Sequence, residues 1–228
     1  MCKSILAFVA ALLALPACIA SELTSIEKQW LRGAWAVIDF AKRENLPLDI
    51  IVQPQANPDA APLALAFVDG RCKLVLSMRG NAQAQETLER IEPGLLDATL
   101  ELMAAHELGH CRRYLDGAWY GLPAGFYPAA PEGLSPELRS AYVGMKAARR
   151  EEGYGDLVGL AWAQQRHPQH YARLHAWLVS ERSRDLLPGS HHDTLTWVHL
   201  AQDGRTLVGP CIFAVATRLW AAGLGLDD

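Results

Sequence analysis

Apolar and polar positions alternate along this chain with two periods, and the switches between them mark the elements. From Leu23 to Asn45, Trp30, Ala34, Val37, Ile38 and Ala41 recur at helical spacing with charged residues between them, which predicts an amphipathic helix stopped by Pro47. Asp49 to Val52 is short and β-branched, a candidate strand, and Gln53 to Pro62 holds prolines and an asparagine that predict a loop. Leu63 to Val68, the turn Asp69-Gly70, and Cys72 to Ser77 read as a β-hairpin, closed off by Gly80 and Asn81. Leu95 to Leu115 is apolar over much of its girth, so a buried helix is expected there, ending at Asp116-Gly117. Further helices are predicted over Pro136 to Arg150, Glu152 to Gln165, Tyr171 to Arg184, His192 to Gln202 and Cys211 to Ala222. The fold class is therefore α+β, a short sheet with a hairpin beside a mainly helical domain. Leu74 to Ser77 is the expected exposed edge, where an extended peptide could add as a further strand. Between the helices, Ala118 to Pro136 is a long segment rich in Gly, Pro and aromatics. Its Trp119, Tyr120, Phe126 and Tyr127 are read as a lid or substrate wall, or as core packing.

The N-terminus does not belong to that pattern. Lys3 followed by the apolar run Ile5 to Leu15, then Pro16 and small residues, has the order of an export signal over residues 1–20, leaving 21–228 as one domain. Two outcomes remain open: cleavage after Ala20, or a lipobox Leu15-Pro16-Ala17-Cys18 that would make Cys18 the lipidated first residue of a bacterial lipoprotein. Either places the mature chain in the periplasm or on the cell envelope, with membrane attachment through Cys18 in the second case. Export permits disulfides, and Cys72, Cys111 and Cys211 allow one bridge and one leftover thiol in any pairing. The formal net charge of -4 gives no footing for a nucleic-acid surface. The one basic cluster, Lys146 to Arg150, is read as a solvated helix face.

The chemistry concentrates in His106-Glu107-Leu108-Gly109-His110. Residues four apart share one face of a helix, so both imidazoles can reach one metal ion. Glu107 follows the first histidine, where its carboxylate can take a proton from a metal-bound water. A catalytic zinc site also needs a third protein ligand and an open position for water. Glu152 is one candidate. On a helix it shares a face with Asp156, which could accept a hydrogen bond from the free ring nitrogen of a ligand histidine. Gly153 and Gly155 between them are poor helix formers, which suggests close packing against the motif helix. Asp116, six residues after His110, is the second candidate, but without a sharp turn it points away from the histidine pair. Glu151, His167, His170 and His175 are remoter ones, with surface or capping roles the better reading for the histidines.

His106-Glu107-Leu108-Gly109-His110 followed by Glu152-x-x-x-Asp156 resembles the gluzincin class of zinc metallopeptidases. The resemblance covers about a third of the chain. It implies a zincin-like fold, zinc held by His106, His110 and Glu152, Glu107 as general base, and Asp156 orienting a ligand histidine. Peptide or protein would be the substrate. Such sites also need a donor for the developing oxyanion. His192 in His191-His192-Asp193-Thr194 is the leading candidate, with His191 and Tyr154 as alternatives. Ser190 or Asp193 could instead serve as a helix cap. The rival expectation is a non-catalytic envelope lipoprotein that keeps a zinc-binding fold.

Overall fold

The computed structural model describes residues 22–55, 60–117, 133–184 and 186–227. The expected export signal and the four aromatics between Trp119 and Tyr127 lie outside them. Helix α1 (Ser25–Arg43) starts with a capping box, in which Thr24 and Glu27 satisfy each other's backbone N–H groups. Glu27 is buried and also accepts from Arg79 at 3.0 Å, which ties the start of α1 to the end of the sheet.

Three strands follow: β1 (Leu48–Pro54), β2 (Leu63–Val68) and β3 (Arg71–Arg79). Asp69 and Gly70 both take positive φ, 52° and 73°, as a two-residue hairpin turn requires. The sheet order is β1-β3-β2, with β1 parallel and β2 antiparallel to β3. This corrects the expected edge. Leu74 to Ser77 lie in the central strand, because Ile50 and Val52 of β1 align with Leu74 and Leu76 and cover that side of β3. Among the described residues, the free edges belong to β1 and β2.

Helix α2 (Ala82–Arg90) occupies a stretch where the sequence pattern placed no element. Asn81 does more than close the strand region: its side chain accepts from the Gln83 N–H at 3.1 Å and caps α2. The motif helix α3 (Leu96–Leu115) runs through the middle of the molecule. It packs on α1, on the sheet, and most extensively on α4 (Pro136–Arg166). Two helices were expected over the span of α4, and one helix of 31 residues is found. Gly153 and Gly155 do not break it. Each costs about 1 kcal/mol of helix propensity, but each admits a neighbour that a side chain would exclude. A Cβ on Gly153 would lie 2.5 Å from the Trp197 indole, and one on Gly155 would lie 2.8 Å from the His106 ring. Of the two, only Gly155 packs against the motif helix.

Helices α5 (Tyr171–Ser183), α6 (Leu195–Leu200) and α7 (Ile212–Leu224) complete the domain. The start of α6 at Leu195 leaves His191, His192 and Asp193 in the turn before it. The basic cluster is not a solvated face. Lys146 and Arg150 are buried, and Arg149 and Arg150 meet Asp227 at 2.5 and 3.0 Å. Trp220 donates to the Arg150 carbonyl at 2.6 Å, so the same turn of α4 is also held by α7. A disulfide joins Cys72 of β3 to Cys111 of α3, and among the described residues Cys211 is an exposed free thiol.

Candidate metal centre

Helical spacing stacks His106 and His110 on the face of α3 that meets α4. Their Nε2 atoms lie 3.0 Å apart. Glu152, from α4, brings one carboxylate oxygen to 3.3 Å from His106 Nε2 and the other to 3.5 Å from His110 Nε2. Donor atoms about 2.1 Å from a tetrahedral zinc sit ~3.4 Å from one another. One donor atom from each of the three residues lies within 4.8 Å of the others, near that spacing, and two imidazoles with one carboxylate are a donor set suited to such an ion.

The backbone of α4 is shaped to this ring pair. Gly109 and Gly155 let the two helices approach closely, since a Cβ on Gly109 would lie 3.2 Å from the Gly155 Cα. Gly155 in turn leaves room for the His106 imidazole. One turn beyond Glu152, Asp156 is fully buried and its Oδ1 lies 2.9 Å from His106 Nδ1. That contact fixes the ring so that Nε2 faces Glu152.

Asp156 does not act alone. Arg182 of α5 donates to both of its oxygens, from Nε at 2.8 Å and Nη2 at 2.5 Å, and the Thr194 hydroxyl donates at 2.5 Å. Arg182 Nη2 is also 3.7 Å from Glu152. Burial raises the pKa of Asp156, but the Arg182 charge and the His106 hydrogen bond outweigh it and hold the carboxyl well below its usual range. Burial likewise opposes the charge on His106, yet Asp156 and Glu152 lift its pKa to about 10 in the metal-free protein. Glu107 moves upward, because burial outweighs the attraction of the nearby histidines.

The three donors open into a cleft of about 430 Å³. Glu107 lines it beside His106 and His110, with Leu63 to Leu65 of β2 along one side and Trp177 of α5 on another. Phe67 of β2 stacks on Tyr114 of α3 at 5.0 Å, which fastens the edge strand along the motif helix.

His192 lines the same cleft. Burial and the charge of Arg182 push its pKa down to about 4, so it is neutral at pH 7 and its ring has one N–H to donate. His191 packs against it at a ring separation of 4.0 Å. Asp193 does not orient His192. It accepts from the Gly189 N–H at 2.8 Å and closes the preceding turn. Thr194 is the N-cap residue of α6, but its hydroxyl goes to Asp156 instead of capping.

Several alternatives fall elsewhere. Tyr154, two residues from both Glu152 and Asp156, points from another face of α4 and packs edge-on against Trp220, with the Arg113 guanidinium over its ring. It cannot serve as a donor in the cleft. Asp116 is paired with Arg112 at 2.9 Å and lines a separate hollow with Cys211. Glu151 is held by Arg113 through two hydrogen bonds of 2.6 and 2.7 Å. His167 reaches Glu101 at 3.0 Å and His175 reaches the Val198 carbonyl at 2.9 Å. His170 sits at the turn before α5. The sequence reading missed Arg182, Thr194 and Trp177. Arg182 lies among other charged residues at the end of α5 with no local signal, and Thr194 read only as part of a capping segment.

Comparison with known proteins finds no family model, no curated protein and no solved structure that matches this chain.

Proposed function

We propose that this chain is an exported, zinc-dependent metallopeptidase with a zincin-like arrangement of its motif helix, sheet and second ligand helix. The observation that carries the reading is the convergence of His106, His110 and Glu152 at ligand spacing, beside a half-buried Glu107, in a cleft flanked by a free strand edge. A binding module has no use for Glu107 in that position.

Zinc held by His106, His110 and Glu152 would supply a Lewis acid able to polarise a carbonyl and acidify a water. The remaining steps belong to the chain. The free edge of β2 pairs with an extended peptide and lays it along the cleft. Glu107, whose burial raises its proton affinity, accepts the proton of the attacking water at a carboxylate oxygen and delivers it to the departing amine. Neutral His192 donates its N–H to the carbonyl oxygen as charge develops there. Arg182 and Thr194 keep Asp156 ionised and in place, and Asp156 keeps the His106 ring aimed.

Metal content and turnover test the proposal together. The wild-type chain is expected to hold about one zinc per molecule. Glu152→Ala loses it, while Asp116→Ala keeps it. Glu107→Gln keeps the metal and loses on the order of 10²- to 10⁴-fold in hydrolysis of a peptide library. Wild-type protein that stays metal-free after repletion would remove the foundation of this reading. Stoichiometric zinc with no turnover on any peptide would leave the binding module in its place.

A further inference from the structure

Helix α1 turns Trp30, Ala34, Val37 and Ala41 inward. Its opposite face carries Lys28, Arg32, Trp35, Asp39, Lys42 and Arg43 at helical spacing. Trp35 is 60% exposed, whereas every other tryptophan among the described residues is buried or half-buried. Lys28, Arg32 and Lys42 form no ion pair with another described residue. Asp39 is the one carboxylate on this face and is paired with Arg43. Glu44 follows at the C-cap. The face thus gathers four cations around an exposed indole, on a chain whose formal net charge is -4.

We propose that this face of α1 rests on the surface of an anionic bilayer, with Trp35 at the level of the headgroups and the cations against lipid phosphates. Three features favour a bilayer. The charge is complementary to an anionic leaflet, where each nearby Lys or Arg contributes about 1 kcal/mol. An indole is amphipathic and settles where apolar and polar surroundings meet. The chain path fits as well: Cys18, the candidate lipid attachment point, precedes the Thr24 cap by six residues. Six residues span at most about 20 Å when extended, less than the roughly 28 Å length of a 19-residue helix such as α1. An acyl chain on Cys18 therefore keeps α1 close to the membrane. No helix among the described residues is long and apolar enough to cross a membrane, so the contact is peripheral. The surface stands independently of both the acyl chain and the peptidase reading.

The test is sedimentation of the processed, unacylated chain with vesicles of phosphatidylcholine, alone or mixed with phosphatidylglycerol. Binding is expected to the mixed vesicles only, and to weaken as salt rises. The double variant Lys28→Glu/Arg32→Glu should bind at least ~25-fold more weakly, at about fivefold for each lost cation. Trp35→Ala should weaken binding severalfold while the melting temperature and metal content stay at wild-type values. Absence of binding to the mixed vesicles, or binding that neither variant changes, overturns the proposal. Loss with the charge reversal but not with Trp35→Ala also overturns it, because charge alone then accounts for the binding and the indole does not seat in the headgroups.

Discussion

His106 holds a proton in the metal-free protein because two carboxylates outweigh its burial. The sign of the linkage follows. A histidine whose folded pKa is raised contributes stability that is full below its ordinary value near 6.5 and is lost as the pH climbs through about 10. Glu152 and Asp156 are depressed, so their contribution is present above the usual carboxylate range and is lost as the pH falls through their lowered values. The metal-free protein should therefore be most stable between those limits. A metal ion needs the same Nε2 atom that carries the proton, so loading at pH 7 should release a proton. Calorimetric titration with zinc in two buffers of different ionisation enthalpy measures it. Identical heats in both buffers would mean that His106 is already neutral. The partner of that proton was partly legible in the sequence, since Asp156 follows Glu152 by one helical turn. Arg182 was not legible, because a charged residue near the end of a helix has no pattern that tells a buried clamp from a solvated side chain.

At the scale of elements, the motif helix and its second ligand helix are fitted to each other by the absence of side chains. Gly155→Ala should displace the His106 ring, because the added Cβ would lie within 2.8 Å of it. The expected result is a loss of zinc affinity with no matching loss of helix propensity, since alanine favours the helix by about 1 kcal/mol. Metal titration beside thermal melting of the same variant separates the two, and unchanged affinity would show that the ring has room to shift. The sequence made most elements readable where one period persisted for several turns. The amphipathic stripe of α1 and the hairpin with its Asp-Gly turn are the clearest cases. It misled where tertiary contact overrides propensity. The pattern divides residues 136–165 into two helices between Arg150 and Glu152 where one helix stands, because the neighbours that fill the space beside Gly153 and Gly155, Trp197 and His106, are remote in sequence. The edge strand was misassigned for a related reason: alternation along Cys72 to Ser77 shows which face is buried, but not that β1 returns to cover its far side. The basic cluster near Arg150 looked solvated because its counterion, Asp227, lies 77 positions away.

For the molecule as a whole, the Cys72–Cys111 bridge joins the central strand to the residue after a candidate metal ligand. Closing a loop of 39 residues, it should stabilise the domain by about 3–4 kcal/mol. Paired Cys72→Ala and Cys111→Ala substitutions should lower the melting temperature and weaken zinc binding together, both measurable on one preparation. A lower melting temperature with unchanged metal affinity would limit the bridge to holding the fold. Supports for the candidate metal centre are distributed very unevenly along the chain. The three donors are complete by residue 152, but Arg182, Thr194, Trp220 and Asp227, which fix Asp156 or the turn of α4 before Glu152, all come later. During synthesis, a ribosome that has already released every ligand has not yet made the parts that aim them. A nascent chain stalled ahead of α6 would carry the whole recognition motif and still lack a finished grip on the ion, so the site matures only as the last helices emerge.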